Sequence, residues 1–348
     1  VLDPITTDLA RMADYHIRLR PGTNVAVLNM MLYFIIEAKL IKEDFILSRT
    51  EGFENFLKGI KKLDIDQLAK VAGVDKQQVK EAAIAYATEK NSMEFHGLGV
   101  TEQEQGSKTV MLIADLAMIT GNIGRKGVGV NPLRGQNNVQ GAADMGCQPH
   151  QGAGYFPVAD KKIQNFYTEK YGVVHPTKAG LKIPQIFDAA INREVKAVWI
   201  IGEDVVQTDP NSAHVAKAMN ALDLLVVQEI FLSETAKHAD VVLPGTTFLE
   251  KDGTFTNTER RVQRVNRAAK PLPGTKPDGV IVTEMMQKLG SNQPIYDADE
   301  VLAEIADVVP FFKGITRERL GKMGLQWPVK EDGTDTKILH EKEFKLGK

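Results

Sequence analysis

Three short apolar runs in the second half of the chain constrain its fold more than any other feature. They are "VKAVWII", "DLLVVQ" and "ADVVLP", and they lie within residues 195–244. Two stretches with helical character, "NSAHVAKAMNAL" and "LSETAKHA", separate them. Short buried strands that alternate with helices are typical of an open parallel sheet. The sequence therefore predicts a β-α-β-α-β unit in this region.

Polar residues follow each of these predicted strands. Because ligands of open parallel sheets bind at the carboxyl ends of the strands, we expect a ligand at this edge. The residues that stand there are Gly202, Glu203, Asp204 and Thr208 after the first run, Gln228 and Glu229 at the end of the second, and Pro244, Gly245 and Thr246 after the third.

Residues 1 to 129 predict a further α/β region. "TNVAVLNMMLYFIIEAKL" reads as a helix with Thr23 as its cap, "SMEFHGLGV" as a strand, and "GSKTVMLIADLAMITGNIG" as a long helix with a glycine stop. The apolar run 25–41 is interrupted by Asn29 and is shorter than the roughly 18 to 20 residues of a spanning helix. We expect a buried amphipathic helix there.

Composition excludes several classes of function. A net charge of −2 gives no electrostatic basis for binding nucleic acid or an anionic membrane. The single cysteine, Cys147, excludes a multi-cysteine zinc or iron–sulfur site within this chain, and we interpret it as structural. The seven histidines form no metal-binding pair, and no P-loop, dinucleotide fingerprint or serine nucleophile motif is present.

The stretch "VNPLRGQNNVQGAADMG", residues 130–146, combines one arginine, a row of amides and three glycines. Amides and bare backbone satisfy many acceptors without adding charge, which suits a large polar ligand that carries phosphates. A polar crossover loop between domains is the alternative. From the residues alone, the chemistry stays open.

Several motifs of the chain, taken together, resemble those of a known protein family. "GVGVNPLRGQNNVQGAADMG", "VWIIGEDVVQTDP", "VVQEIFLSETAKHADVVLPGTTFLEKDGTFTNTERRVQ" and "GLQWP" resemble, in order and spacing, the catalytic α subunits of formate dehydrogenases in the molybdopterin oxidoreductase family. "VLDPITTDLARMADYHIRLRPGTN" is similar to a family segment that meets one arm of the cofactor, although Ile5 stands where many relatives have arginine. The resemblance covers nearly the whole chain.

The resemblance implies an α/β fold with two Rossmann-like parallel-sheet domains around a molybdopterin cofactor site. It also implies part of a scaffold domain, and that the chain is a fragment of a larger four-domain subunit. The expected ranges are 1–135 for a first dinucleotide-binding domain that lacks its N-terminal part, 136–248 for a second, and 249–348 for a mixed segment. That segment contributes to the second domain and to the scaffold on the iron–sulfur side.

The resemblance also assigns roles to residues. Arg134 would orient formate and stabilise negative charge, because its planar, permanently charged fork matches a carboxylate. The expected cofactor-binding residues are Gly99, Glu102, Gly135, Gln136, Asn137, Gly202, Glu203, Asp204, Thr208, Gln228, Glu229, Lys251 and Asp278. Leu98 is a weaker candidate, and Asn138 and Gln140 are as compatible with a structural role.

The function implied is oxidation of formate to CO2 at a bis-(molybdopterin guanine dinucleotide) centre with molybdenum or tungsten. Electrons would pass to a [4Fe-4S] cluster and then to an acceptor subunit or iron–sulfur protein, in the cytoplasm. The family's cluster cysteines and its metal-ligating cysteine or selenocysteine are expected upstream, so we expect the fragment alone to be inactive. A nitrate reductase-like enzyme, and a non-catalytic scaffold like the large subunit of respiratory NADH dehydrogenase, remain the alternatives.

Overall fold

The computed structural model describes residues 1–348, which divide into two compact units. Unit 1 comprises Val1–Gln136 together with Lys337–Lys348, and unit 2 comprises Asn137–Thr336. Each unit has hydrophobic cores of its own. The predicted domain ranges 1–135, 136–248 and 249–348 stay a prediction.

Unit 1 is built mainly of helices. Its elements in chain order are α1 (Asp8–Met12), α2 (Asn24–Glu37), α3 (Glu43–Arg49), α4 (Phe53–Ile60), α5 (Ile65–Ala72), α6 (Lys76–Thr88), β1 (Met93–His96), α7 (Leu98–Thr101), α8 (Gly106–Ile119) and β2 (Gly129–Pro132). Helix α2 is apolar on most sides and packs against α5, α6 and α8. A helix of this composition is stable only when neighbours surround it, and α2 forms the centre of the unit's core.

The two strands of unit 1 pair in parallel, with Met93 opposite Gly129 and His96 opposite Pro132. Both strands therefore end at one edge, where Gly97 and Leu133 follow them. The backbone N–H of Leu133 donates to the carbonyl of His96 at 2.7 Å and extends the pairing by one residue. This places the loop that begins at Leu133 beside the turn that begins at Gly97.

The C-terminal tail packs on helix α3 of unit 1. The Arg49 guanidinium donates to the carbonyl of His340 at 2.9 Å and lies over the ring of Phe344. The ammonium group of Lys348 donates to the carbonyl of Leu47 at 3.0 Å. These contacts explain why residues 337–348 belong to unit 1 although unit 2 separates them from it along the chain.

Unit 2 contains the predicted open sheet and a second, antiparallel one. Its elements in chain order are α9 (Val139–Asp144), β3 (Gln151–Gly152), β4 (Phe156–Pro157), α10 (Lys161–Tyr171), α11 (Ile183–Ile191), β5 (Ala197–Ile201), α12 (Val205–Thr208), α13 (Ser212–Asn220), β6 (Leu224–Glu229), β7 (Val241–Pro244), β8 (Gly253–Thr256), β9 (Arg261–Val265), α14 (Asp278–Lys288), α15 (Ala298–Val308), α16 (Arg317–Leu320) and β10 (Leu325–Gln326).

Strands β5, β6 and β7 form a parallel sheet in that order. The central strand β6 buries Leu225 and Val227 against Val215 and Met219 of α13. Alternation of strand and helix with short connections forces this parallel arrangement, since each helix returns the chain to the same end of the sheet. The predicted parallel order of the three strands is confirmed, whereas the connection between β6 and β7 contains a 3-10 turn in place of the second α-helix.

A second core in unit 2 lies around the antiparallel sheet of β8, β9 and β10. Val262 of β9 is fully buried among Val309, Phe312, Leu320 and Val329. These side chains come from separate short elements, so no single stretch of sequence shows a clear period. The order and pairing of the two parallel sheets confirm the α/β fold class.

Local predictions differed from the structure at three places. Thr23 precedes α2, but its hydroxyl donates to the Arg20 carbonyl at 2.6 Å and does not cap the helix. Strand β1 ends at His96, and Leu98 begins the one-turn helix α7. Thr235–His238 forms a 3-10 turn where a short α-helix was expected. No helix in either unit combines the length and apolarity that crossing a bilayer requires.

Candidate functional site

In unit 2, the carboxyl ends of β5, β6 and β7 meet at one edge of the parallel sheet. The N–H of Gly202 donates to the carbonyl of Gln228 at 2.9 Å, and the N–H of Gly245 donates to the carbonyl of Glu229 at 3.1 Å. Gly202 has φ +66° and open space around it, so a side chain there would be strained and would also cover the edge. The structure thus brings together the strand-end residues that the sequence predicted.

Asp204 at this edge is held by a neighbouring turn. Its Oδ1 accepts hydrogen bonds from the N–H of Thr235 at 2.8 Å and from the Thr235 hydroxyl at 2.6 Å, and its Oδ2 accepts from the N–H of Glu234 at 3.3 Å. Burial opposes ionisation, but these hydrogen bonds and nearby Lys237 outweigh it, so the pKa of Asp204 lies below its ordinary value. Asp204 is therefore ionised, and its hydrogen bonds fix the turn at Glu234 and Thr235 to this edge.

Two predicted residues beside Asp204 contact each other. The Thr208 hydroxyl donates to Oε1 of Glu203 at 2.7 Å, and both residues are exposed. Glu229, at the end of β6, accepts at Oε1 from the N–H of Ile230 at 2.6 Å. All three carboxyl or hydroxyl groups retain further lone pairs, so a ligand could still bind to them.

Gln228, Lys251 and Asp278 form a cluster at the same edge. The Gln228 amide donates to Oδ1 of Asp278 at 2.8 Å, and the Lys251 ammonium group pairs with Oδ2 of Asp278. A Cβ on Gly245 would lie 3.0 Å from Asp278 Oδ1, so glycine is what lets this carboxylate come close to the strand end. Residues from three separate segments thus present an amide, a cation and a carboxylate together.

Two buried oxygens at this edge have no hydrogen-bond partner, Oε1 of Gln228 and Oγ1 of Thr246. Gln228 and Thr246 are 1% and 3% exposed. An unsatisfied buried polar atom costs about 1–3 kcal/mol, so such atoms in a folded protein call for a missing donor. A donor from a bound ligand or from an ordered water would satisfy either oxygen.

In unit 1, the loop after β2 carries Arg134, Gly135 and Gln136, all of them exposed. A Cβ on Gly135 would lie 3.2 Å from Cδ1 of Leu98 in α7. The structure therefore brings Leu98, the weaker candidate, into close approach with the arginine loop. Glycine at position 135 keeps this approach open.

Gly99 and Glu102 lie in and just after helix α7, and both are exposed. Helix α7 abuts the start of α8, where a Cβ on Gly106 would lie 2.2 Å from the carbonyl oxygen of Thr101. Glycine at position 106 is thus required for the two helices to meet. This contact fixes α7, and with it Gly99 and Glu102, at the edge of the β1–β2 pair.

The motif continues into unit 2 with Asn137 and Asn138. Asn137 is exposed. Asn138 adopts the left-handed conformation with φ +59°, and its Oδ1 accepts from the N–H of Thr256 at 2.9 Å. The close approach of Asn138 Oδ1 to Gly141 leaves no room for a side chain there. Asn138 therefore has a structural role, the reading that the sequence left open.

Sequence reasoning missed a buried network behind this motif. Asp144 is fully buried; Oδ1 accepts from Gln140 at 2.8 Å and from the Tyr155 hydroxyl at 2.7 Å, and Oδ2 accepts from the Trp327 indole at 2.9 Å. Arg260 stacks on Trp327 and donates to its carbonyl. Gln140 is thus structural. The motif "GLQWP" contains Trp327, but the sequence around it does not show which residue the tryptophan contacts.

The described side chains include no group of three or more His, Cys, Asp or Glu residues placed to hold a metal ion, and Cys147 is a free, exposed thiol. The candidate site in unit 2 is a polar edge. Amides, carboxylates and glycines at the carboxyl ends of a parallel sheet place the protein in the α/β class whose open sheets bind ligands at this edge.

Comparison with known proteins identifies the family. Residues 1–288 match the family described as molybdopterin oxidoreductase, and the chain belongs to that family. Membership implies a molybdopterin-type cofactor with molybdenum or tungsten. The resemblance found in the sequence is confirmed.

Relatives and a solved structure agree with this assignment. The chain is 43% identical over 347 residues to the F420-dependent formate dehydrogenase subunit alpha of Methanocaldococcus jannaschii, covering 99% of this chain and 51% of that protein. It is 39% identical over 333 residues to formate dehydrogenase H of Escherichia coli, covering 95% and 47%. Acetylene hydratase from Pelobacter acetylenicus matches with a TM-score of 0.71 at 22% identity, covering 91% and 46%, which shows a shared fold alone. The chain spans about half the length of the curated relatives it matches.

Proposed function

We propose that this chain is the central part of a formate dehydrogenase catalytic subunit. The observation that carries the proposal is the exposed loop of Arg134 at the carboxyl edge of the β1–β2 pair, where Gly135 leaves room above Leu98. Similarity to formate dehydrogenase α subunits over nearly the whole chain supports it. The substrate would be formate, and the electrons would leave through a [4Fe-4S] cluster to an acceptor subunit or iron–sulfur protein.

We further propose that the cofactor is a bis-(molybdopterin guanine dinucleotide) with molybdenum or tungsten. In unit 2, one nucleotide arm would be held by Gly202, Glu203, Asp204, Thr208, Gln228, Glu229, Lys251 and Asp278. The unpartnered oxygens of Gln228 and Thr246 support this, since a guanine edge and a ribose both offer N–H or O–H donors. Gly99, Glu102, Gly135, Gln136 and Asn137 would contact the pterin.

The cofactor, when bound, supplies the two-electron oxidation. The chain's own contribution is binding and electrostatics. Arg134 binds the formate carboxylate with its planar fork and keeps its charge at every relevant pH. That charge also meets the negative charge that develops as the C–H bond breaks, so Arg134 acts on both substrate binding and turnover.

The test is substitution of Arg134 in the full-length enzyme. Arg134→Lys keeps the charge but loses the fork, so KM for formate should rise and kcat should fall. Arg134→Ala should cost about a hundredfold or more in kcat, as removal of a preorganised electrostatic donor typically does. Rates are normalised to metal content, and azide serves as a second anionic probe.

A matched control is Arg193→Lys, an exposed arginine of unit 2 that pairs with Asp223 at the amino end of β6, away from the candidate site. It should leave both constants unchanged. Wild-type kcat/KM per metal in Arg134→Ala would reduce Arg134 to a structural residue and favour the non-catalytic scaffold. Nitrate reduction by the wild-type enzyme, without formate oxidation, would favour the nitrate reductase-like alternative.

A further inference from the structure

Two ionisable side chains on strand β1, the buried His96 and the half-buried Glu94, carry buried polar atoms without hydrogen-bond partners. His96 is 6% exposed, and neither of its ring nitrogens has a partner. Oε2 of Glu94 is also buried and unpartnered, while its Oε1 accepts from the Tyr86 hydroxyl. Core strands rarely carry two such groups, because each leaves polar atoms without the hydrogen bonds that water would give.

The two side chains lie in one row. Residues two apart on a strand point to the same face, about 7 Å apart along it. The burial pattern agrees, since Glu94 and His96 point inward while Met93 and Phe95 on the opposite face are exposed.

The row ends at the arginine loop. The carbonyl of His96 accepts from the N–H of Leu133 at 2.7 Å, and the next residue is Arg134. At the other end, the Tyr86 hydroxyl from α6 lies 3.5 Å from the amide nitrogen of Asn122, which in turn contacts the exposed Arg125. The backbone of β1 at His96 therefore adjoins the loop with the proposed substrate arginine, and the Tyr86 hydroxyl leads from Glu94 into the polar region behind β1.

We propose that His96 and Glu94 form a proton-transfer route that leads away from the Arg134 loop. The proposal rests on formate oxidation as the reaction. Oxidation of one formate gives CO2, one proton and two electrons, and the electrons pass to the molybdopterin cofactor. The proton passes to one nitrogen of neutral His96, and the proton on the other nitrogen passes through a bridging water to Oε2 of the Glu94 carboxylate.

The ionisation of the two groups suits these roles. Burial lowers the pKa of His96, so the ring is neutral and can accept a proton. Burial raises the pKa of Glu94 to about 7, and the hydrogen bond from Tyr86 opposes that rise without cancelling it. The carboxyl group therefore both gains and loses a proton near neutral pH, as a relay must.

Neighbouring titratable groups are few. Helix α6 contributes Tyr86, whose pKa burial and the Glu94 charge raise, so it stays a neutral donor. Strand β2 carries no titratable side chain, and α8 carries Lys108 and Asp115, the latter with its pKa raised to about 6 by burial. Arg125 reaches the region only through Asn122.

The first experiment measures turnover of full-length, cofactor-loaded enzyme against pH. Glu94→Gln keeps the shape and the hydrogen bond with Tyr86 but cannot take up a proton. It should lower kcat by about a hundredfold, the lower end of what positioned acid–base groups contribute. KM for formate and metal content should be unchanged, and the kcat step near pH 7 should disappear. His96→Gln should behave alike.

A matched control is Glu89→Gln, an exposed carboxylate at the end of α6, which should leave the pH profile unchanged. A second readout does not depend on turnover. Infrared difference spectra between about pH 6 and pH 8 should show the C=O band of a protonated, buried carboxyl group that is missing in Glu94→Gln.

The outcomes separate the two proposals. If the wild type oxidises formate and Glu94→Gln keeps its kcat–pH profile at normal metal content, the proton route is wrong and the proposed function stands. If the fully loaded wild type does not oxidise formate, the proposed function fails. In that case the infrared band still decides whether Glu94 holds a proton, and absence of the band overturns the inference by itself.

Discussion

At the scale of single residues, Asp144 links distant parts of unit 2. It accepts hydrogen bonds from Gln140, Tyr155 and Trp327, and Trp327 lies 183 residues after Asp144 in the sequence. We expect Asp144→Ala to lower the free energy of unfolding by about 3 kcal/mol or more, because three donors lose their shared acceptor and are left unsatisfied. Trp327→Phe should cost about 1–3 kcal/mol, the range for leaving a buried acceptor without its partner.

Urea unfolding of the two single variants and the double variant measures these costs. The double variant should cost less than the sum, since each single change already breaks the Asp144–Trp327 bond. Glu169→Ala, an exposed residue of α10, is the control and should change stability by less than about 0.5 kcal/mol. Strict additivity would show that the bond does not form in solution.

A second prediction at this scale concerns Glu94 and pH. Its pKa in the folded state is raised to about 7 by burial, above the ordinary value of 4.5 for a glutamate. The folded state therefore binds this proton more tightly, and the stabilisation is present below about pH 4.5 and lost as the pH rises through about 7. From about pH 5 to pH 8, the wild type should lose up to roughly 3 kcal/mol from this group.

Glu94→Gln should remove that part of the pH dependence. The measurement is the free energy of unfolding at several pH values for both proteins. Equal slopes would mean that the Glu94 carboxyl group titrates normally in the folded protein. Such a result would also remove one support of the proton route.

At the scale of elements, glycines decide how closely helices approach their neighbours. A Cβ on Gly279, in the first turn of α14, would lie 2.5 Å from the ring of Tyr296. Gly279→Ala should therefore push α14 outward, moving Asp278 away from Gln228, and cost about 1–3 kcal/mol of overpacking. Gly59→Ala in α4 is the matched control, because nothing lies within 4 Å of its Cβ and alanine there should stabilise by about 0.5–1 kcal/mol. Thermal unfolding of both variants distinguishes the two signs.

The sequence predicted elements best where one stretch determines them. The strands β5, β6 and β7 follow from apolar runs with helices between them, and their carboxyl ends then had to meet. It could not predict that Asp204 is held by Thr235, or that Asp144 meets Trp327, because those pairings depend on packing between segments far apart in the chain. Helix α7 was missed for a related reason, since the close fit of its last residue, Thr101, against Gly106 of α8 is a packing contact that the local pattern does not show.

At the scale of the whole molecule, the proposed function assigns a different role to each of the two units. The strand ends of unit 2 would hold a nucleotide arm, and the Arg134 loop of unit 1 would act on formate. Gln228 is almost fully buried. Its side-chain oxygen has no hydrogen-bond partner, and its side-chain N–H donates to Asp278. Arg134 is exposed on a loop. Changes at these two residues should therefore affect different measurements.

In the full-length enzyme, Gln228→Ala should lower molybdenum or tungsten content and the pterin released on denaturation, because each lost hydrogen bond in a buried site weakens binding by about 1–3 kcal/mol. The molecules that still contain metal should oxidise formate with normal KM and kcat.

Arg134→Ala should show the reverse, full metal and pterin content with low kcat, since many other contacts hold the cofactor. Metal analysis, pterin fluorescence and kinetics per metal are measured on the same preparations, with Arg193→Lys as control. Full cofactor content in Gln228→Ala would remove the strand edge of unit 2 from the cofactor site, whereas loss of cofactor in Arg134→Ala would give Arg134 a binding role in place of a catalytic one.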